Sequence, residues 1–169
     1  MKNIRNERGF TLIELLAVIV VLAIVMLMGA MAVIPRMDSA RKQAFALEAN
    51  TAKQGVQQFL MTNELKASGT AQVFPTNTSP ICVTIKDLID NTVVDFDSSY
   101  NGYVIVQRVS NTSSAYLYQI SMTNGVNAVY NEGVSNKANV DITSDMVVPD
   151  NGTNISACPS SIPNINGTT

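Results

Sequence analysis

Glu14 is the residue whose chemistry fits its surroundings least, because it stands at the start of a long apolar run. No side chain from Leu15 to Ile34 is charged. A carboxylate at the centre of a bilayer costs about 2.5–3.5 kcal/mol, and somewhat less near the edge. The nearest new cation would be an α-amino group on Phe10, if the chain were cut there, and such an amine is largely protonated at neutral pH. Glu14 therefore predicts a charge pair, or a cap on a first helical turn, where the macrodipole favours a carboxylate.

The elements around Glu14 predict a membrane helix. Residues 1–9 carry three cations and one anion, so their net charge is +2. A short basic head before an apolar run stays on the cytoplasmic side. The roughly 20 apolar residues that follow would span about 30 Å as a helix, which is the thickness of the hydrocarbon core. The sequence therefore predicts a single-pass precursor in the cytoplasmic (inner) membrane, with its N-terminus inside and a transmembrane helix over residues 10–35.

The segment RGFTLIELL, Arg8–Leu16, resembles the processing site of type IV prepilins. The family pattern is a short basic leader, a glycine, the cut, a phenylalanine or methionine, then threonine, leucine, an apolar residue and a glutamate. Each part is present here in that order. The resemblance implies that prepilin peptidase recognises Gly9, removes residues 1–9 and leaves Phe10 as an N-methylated terminus. It also implies that Glu14 pairs with the terminal amine of a neighbouring subunit and sets the axial register of assembly.

The function that the resemblance implies is structural. The chain would be a pilin, a subunit of a type IV pilus (fimbrium) that polymerises through its N-terminal helix for surface adhesion or motility. Its partners would be identical and sister pilins, prepilin peptidase, the pilus assembly machinery, and the membrane before assembly. The assembled pilus would be extracellular, and no cofactor is implied. A pseudopilin of a type II secretion or competence system fits the same motif, so that alternative stays open.

Two further interpretations stay open, and neither leads to a filament. Ala30-Met31-Ala32 is an A-x-A sequence, so an ordinary signal peptidase could cut after Ala32 and secrete the rest. The apolar run is, however, longer than the roughly 7–15 residues of such signals, and it contains Glu14. Alternatively, the run could remain uncut as a signal anchor that holds a non-assembling binding domain. The N-terminus separates these interpretations, because it would lie at Phe10, Val33 or Met1.

Gly29 and Pro35 predict a flexible stretch late in the apolar helix. A glycine in a helix interior costs about 1 kcal/mol, and a proline kinks the helix or removes a hydrogen bond. In pilin filaments part of the N-terminal helix melts near a proline, and the resemblance implies a similar role here. This proline lies a few residues later than in many members of the family.

The globular head is predicted to cover residues 36–169 and to begin with a continued helix over residues 36–67. Apolar side chains recur there at spacings of three and four, which is typical of an amphipathic helix packed on a sheet. This stripe consists of Phe45, Ala49, Ala52, Val56, Phe59 and Leu60. The polar side chains between them are expected to be mostly solvated, namely Arg41, Lys42, Gln43, Glu48, Lys53 and Gln54. Ser68 and Gly69 are expected to end the helix.

After the helix we expect a connecting loop over residues 68–100, then a β-meander and a C-terminal loop over residues 101–169. The connecting loop contains a helical turn at Lys86–Asp90, for which Thr84 is the candidate N-cap. Runs rich in β-branched and aromatic residues predict three strands and a candidate fourth, at Gly102–Val109, Ala115–Met122, Val126–Tyr130 and Asn139–Ile142. The predicted fold is therefore α+β, with a long N-terminal helix packed on a three- to four-stranded antiparallel sheet, as in pilins.

Little in the sequence points to catalysis, metal binding or nucleic acid. There is no histidine, so the commonest general base and metal ligand is absent, and we expect neither an enzyme nor a metal site. Asp95–Gly102 loosely resembles a calcium loop but lacks the EF-hand spacing, so a turn is expected there. The net charge of −2 argues against a nucleic-acid partner, which usually binds a basic surface.

The chain has two cysteines, Cys82 and Cys158, which are far apart in sequence. They do not form a CxxC pattern, so neither a zinc site nor a thioredoxin-like site is indicated. A disulfide between them would stabilise the head by about 2–4 kcal/mol. Such a bond would tie the connecting loop to the tail, unlike the disulfide that brackets the C-terminal loop in many pilins. Both cysteines could equally stay reduced and buried.

Overall fold

The computed structural model describes residues 11–66, 74–110, 112–113, 115–132 and 140–165. Gly9, Phe10 and the helix end expected at Ser68 and Gly69 lie outside these residues. The described elements, in chain order, are α1 (Leu12–Lys66), β1 (Ile81–Thr84), α2 (Ile85–Asp90), β2 (Asn101–Arg108), β3 (Tyr116–Thr123), β4 (Asn127–Glu132) and β5 (Val148–Pro149).

The chain divides into two compact units, Met1–Ala40 and Arg41–Thr169. Apart from Thr11, the described part of the first unit belongs to α1, and its large apolar side chains are exposed. The helix continues through Gly29 and Pro35, and its interior contains that proline. The flexibility expected between these two residues stays a prediction.

The second unit has its core between the amphipathic part of α1 and one face of the sheet. All six residues of the predicted apolar stripe are buried in that core, together with side chains from β1, α2 and the meander. Helix-period spacing places these six residues on one face of α1, so burying that face determines how the helix lies on the sheet. The packing predicted from the stripe is thus confirmed.

Lys53 corrects the prediction that the polar residues of this helix are solvated, because it is only 4% exposed. It lies four residues after Ala49 and three before Val56, so it shares the buried face. Its Nζ donates a hydrogen bond to the carbonyl oxygen of Val140 and lies 3.9 Å from the carboxylate of Asp141, whose side chain is 88% exposed. The buried amine is therefore paired with two oxygen atoms of one neighbouring segment, which explains how a lysine occupies a core position.

The prediction of a candidate fourth strand at Asn139–Ile142 is wrong for the described part of that segment. Val140–Ile142 does not form a strand. This segment binds to α1 instead of to the sheet. The amide of Asn50 donates to the carbonyl oxygen of Ile142 at 2.9 Å and accepts from its backbone nitrogen at 2.8 Å. One side-chain amide thus replaces the donor and acceptor of a neighbouring strand. The β-rich composition of the segment reflects the burial of Ile142.

The sheet has five strands in the order β1-β2-β3-β4-β5, and every neighbouring pair is antiparallel. The α+β class, the long helix and the antiparallel meander of β2, β3 and β4 are confirmed. The hairpin between β3 and β4 turns at Asn124 and Gly125, with Gly125 at φ +81°. The four-residue β1 and the two-residue β5 were missed, because such short strands carry almost no periodic pattern.

Helix α2 is fixed at both ends by local hydrogen bonds. Thr84 is its N-cap, as predicted: the Thr84 hydroxyl accepts from the backbone nitrogen of Asp87 at 3.0 Å, and the Asp87 carboxylate accepts from the backbone nitrogen of Thr84 at 3.1 Å. This reciprocal pair is a capping box. At the other end, Thr92 donates to Ile89 and Val93 donates to Leu88, both at 2.9 Å, which is a Schellman motif.

Thr92 occupies the left-handed position of that motif at φ +55°, which is costly for a β-branched residue. We expect Thr92→Gly to raise the free energy of unfolding by about 1 kcal/mol, because glycine adopts this conformation without steric cost. Chemical unfolding of the full chain in detergent micelles measures the change. Thr92→Ala is the matched control and should gain less, since it removes the branch and keeps the Cβ. A lower stability for Thr92→Gly would contradict the expectation.

Candidate functional site

At the site predicted around Glu14, side-chain hydrogen bonds cap the N-terminal end of α1. The backbone nitrogen of Thr11 donates to Oε2 of Glu14 at 2.9 Å, and the Thr11 hydroxyl donates to the same oxygen at 2.8 Å. In return, the Thr11 hydroxyl lies 3.4 Å from the backbone nitrogen of Glu14. This is the geometry of a capping box, in which two otherwise unpaired backbone donors are satisfied. The carboxylate is therefore held over the N-terminal end of α1, next to the predicted cut before Phe10.

Thr11 is the residue of this site for which no role was predicted from the sequence. The signal was present, because a threonine followed three residues later by a glutamate, ahead of an apolar run, is the capping-box pattern. The cap that we considered as an alternative for Glu14 is thus present in the structure. It is compatible with the charge pair, because a carboxylate has more than one acceptor site and the cap uses Oε2. The pairing itself stays a prediction.

The helix that follows the cap is apolar around its circumference. Within the described residues, one helix is long and apolar enough to cross a membrane, and none of its most apolar window is buried by the rest of the protein. A helix that is hydrophobic all round requires an apolar environment, either a bilayer or the core of an assembly. Gly29 and Pro35 both lie in this helix.

The structure describes only some of the other predicted site residues. Gly9 and Phe10, the proposed cleavage pair, are outside the described residues. The structure joins Cys82 and Cys158 in a disulfide, with a Cα–Cα distance of 5.9 Å. In the loop that loosely resembled a calcium site, a carboxylate oxygen of Asp97 accepts from the backbone nitrogen of Ser99 at 2.7 Å. That contact is the turn expected there.

The N-terminal segment is the part of the chain that comparison with known families identifies. Residues 4–30 match the prokaryotic N-terminal methylation motif. This motif is characteristic of type IV pilin-like proteins and includes the class III signal peptide. No curated protein and no solved structure has a significant match to the chain. The match covers most of the basic head, Glu14 and most of the apolar helix, and these residues carried the resemblance.

The methylation motif and the fold agree with each other. The α+β head, with a long N-terminal helix on an antiparallel sheet, is pilin-like. The motif implies processing by prepilin peptidase, and together with the apolar helix it fits a membrane-anchored precursor. The chain thus carries a prepilin-type methylation motif in its N-terminal segment and has a pilin-like fold.

In the described part of the head, a polar network is centred on Asp150, directly after β5. Its carboxylate accepts from the backbone nitrogen of Gly152 at 3.0 Å, from the hydroxyl of Thr123 at 2.8 Å and from the hydroxyl of Tyr130 at 2.9 Å. These bonds hold the pKa of Asp150 below its usual value of 3.8, and the bond from the backbone of Gly152 contributes most. They tie the short strand β5 to the meander. Among the described residues, no group of three acidic or cysteine side chains could hold a metal ion.

Asp150→Asn should lower the free energy of unfolding at neutral pH. It should also make that free energy change less as the pH is lowered. Because the folded pKa is below the unfolded one, the contribution of Asp150 is complete above the unfolded value of 3.8 and is lost as the pH falls through the folded pKa. Chemical unfolding of the two proteins at pH values from about 6 to about 2 tests this. Tyr130→Phe, which removes one donor and keeps the carboxylate, should fall between them. Parallel pH profiles for wild type and Asp150→Asn would exclude this role.

Proposed function

We propose that the chain is a structural subunit of a type IV pilus. The observation that carries the proposal is the methylation motif, which runs without interruption into an exposed apolar helix whose first turn holds a fixed carboxylate. A soluble protein would have to bury this helix, and its apolar side chains are exposed here. Storage in a bilayer before assembly, and burial among neighbouring helices afterwards, keeps these side chains away from water in both states.

In this function, cleavage after Gly9 creates a cation that pairs with Glu14. The α-amine of Phe10 would be positively charged at neutral pH. The carboxylate, held by the cap of Thr11, is presented at the end of the helix, where the amine of an adjacent subunit can reach it. A charge pair in an apolar filament core is strongly favoured over either charge alone. Only the subunit at the correct axial height satisfies both charges, so the pair determines register.

The chain performs no catalysis in this proposal. Its disulfide, its Asp150 network and its clamped segment at Ile142 all stabilise the head. The runner-up function is a pseudopilin of a secretion or competence system, which would use the same processing and the same helix. The two functions differ in how much filament accumulates outside the cell.

The N-terminus of the membrane-associated protein tests the processing step. We expect the chain, expressed in its native host, to start at Phe10 with one added methyl group, as read by intact mass and N-terminal sequencing. Gly9→Val should reduce the amount of cleaved protein by at least about tenfold. The branched side chain would have to enter a peptidase cleft that is shaped for a residue without a side chain. Ala32→Val is the matched control. It would block an ordinary signal peptidase and should leave the start at Phe10 unchanged.

Shearing the cells separates the two filament classes. A major pilin should be abundant in the sheared extracellular fraction and form filaments visible by electron microscopy, whereas a pseudopilin should stay with the membrane. A start at Val33 or Met1 would overturn the proposal at its first step. The chain would then be a secreted or anchored domain, and Glu14 would serve only as a cap.

A further inference from the structure

The edge of the sheet at β1 is covered by the C-terminal segment 155–165, here called the strap. The backbone nitrogen of Cys82 donates to the carbonyl oxygen of Pro163 at 2.9 Å, and the backbone nitrogen of Ile165 donates to the carbonyl oxygen of Cys82 at 3.0 Å. Between these two bonds, Asn164 forms a parallel bridge with Cys82. The strap thus adds one more short strand to the sheet and satisfies an edge that would otherwise be free to pair.

The strap holds both faces of β1. Ile165 is 1% exposed and lies in the main core. On the other face, Ile155 packs with Cys82 and Tyr103 in a smaller cluster, to which Ile162 also contributes. Successive side chains of a strand point to opposite faces, so these two sets of contacts enclose the edge. Burial of these isoleucines, in addition to two backbone hydrogen bonds, makes the strap specific for this edge.

The chain has no helix or strand between Asp150 and Cys158, which is the stretch that links β5 to the strap and forms the start of the strap. Its side chains make local turns there, such as Asn151 Oδ1 with the backbone nitrogen of Thr153 at 2.9 Å, and Asn154 Oδ1 with that of Ser156 at 3.1 Å. Within the described residues, two covalent links join the strap to the head, namely its continuation from β5 and the Cys82–Cys158 disulfide. The strap binds one specific edge and is linked to β5 by irregular backbone. Such a segment is suited to exchange between copies of a chain, as in domain swapping.

We propose that the β1 edge is an exchange interface between two copies of this chain, and that the disulfide controls the exchange. When the bond is open, the strap of one copy seats on β1 of another and the bond re-forms between the chains. The occupant is a second copy because the seat is shaped by this chain's own strap. Every contact of the intrachain seat, from the bonds to Cys82 to the burial of Ile165, is available unchanged to the strap of a copy. This proposal does not depend on the filament function.

The redox steps balance with simple thiol reagents. A dithiol opens the bond and is oxidised to its own disulfide, while Cys82 and Cys158 each become a thiol. A low-molecular-weight disulfide such as oxidised glutathione closes a bond again. It takes two electrons and two protons from Cys82 of one chain and Cys158 of the other and is released as two thiols. Cys82 is fully buried beneath the strap and Cys158 is half-buried. Cys82 therefore meets a second chain's Cys158 when that chain's strap is seated.

Two single-cysteine variants of the full chain in detergent micelles test the exchange. Cys82→Ser keeps Cys158 on its strap, and Cys158→Ser keeps Cys82 on its edge, so neither forms the intrachain bond. We expect equal amounts, mixed in a glutathione redox buffer, to give a disulfide-linked heterodimer on a non-reducing denaturing gel. It should exceed each homodimer by about tenfold, because seating raises the effective concentration of the matching thiol. Adding Ile165→Asp to the Cys82→Ser chain should remove this excess, because a carboxylate cannot enter the core.

Equal heterodimer yields with and without Ile165→Asp would overturn the proposal, because the thiols would then meet without a seated strap. The wild-type chain provides a second test that needs no variant. After reduction and re-oxidation at increasing protein concentration, the fraction of disulfide-linked dimer should rise, since exchange between copies competes with the intrachain bond by mass action. A re-oxidised protein that stays free of interchain disulfides at every concentration would equally overturn the proposal.

Discussion

Glu14→Leu should remove the chain from filaments and leave its cleavage after Gly9 intact. Without the carboxylate, the amine of Phe10 would be buried unpaired, and breaking a buried ion pair in this way costs about 3–5 kcal/mol. That corresponds to a loss of more than about 100-fold in incorporation. The measurement is the amount of variant protein in sheared filaments, from cells that lack the wild-type copy, relative to the cleaved protein in the membrane.

Thr11→Val is the control that separates the two roles of Glu14. It removes the hydroxyl that bonds Oε2 at 2.8 Å and leaves the backbone bond at 2.9 Å and the charge in place. The loss of such a cap costs about 1 kcal/mol, so incorporation should fall only slightly. If Thr11→Val matched Glu14→Leu, capping would be the main role of the glutamate. If Glu14→Leu entered filaments normally, the charge pair would be excluded.

Gly102→Ala is expected to destabilise the head strongly. Gly102 has φ +141°, a region that side chains avoid, and it pairs with Met122 of β3. A Cβ at this position would lie 2.1 Å from the carbonyl oxygen of Ser121 and 2.7 Å from Cα of Met122. Both atoms belong to the backbone of a central strand and cannot move aside without breaking the ladder. We expect a loss of about 3–5 kcal/mol in the free energy of unfolding.

The control for this substitution is Gly125→Ala in the β3–β4 turn. Gly125 also has a positive φ, +81°, but a Cβ there would meet nothing within 4 Å. Its loss should therefore reflect conformational strain alone, at about 1 kcal/mol. Chemical unfolding of both variants in detergent micelles gives the comparison. Similar losses for the two glycines would show that the close approach of β2 and β3 at Gly102 is not what requires a glycine.

The parts of the fold that were predicted from the sequence follow from patterns among neighbouring residues. The processing motif around Gly9 and Glu14 is contiguous, so its order of residues is itself the signal. The burial of Phe45 and Val56 follows from helical periodicity, and β2 and β3 follow from their β-branched and aromatic composition. In each case the residues that decide the outcome lie within a few positions of one another.

The sequence by itself therefore determined the membrane-type helix, the class of N-terminal signal and the helix-on-meander architecture, because propensity and periodicity act over short distances. The tertiary structure alone decided the burial of Lys53, the binding of Ile142 by Asn50, the joining of Cys82 to Cys158, and the close strand contact that requires Gly102. Each of these depends on a partner many residues away. A side chain's burial or pairing is determined by where the backbone brings that partner, and no local pattern records that distance.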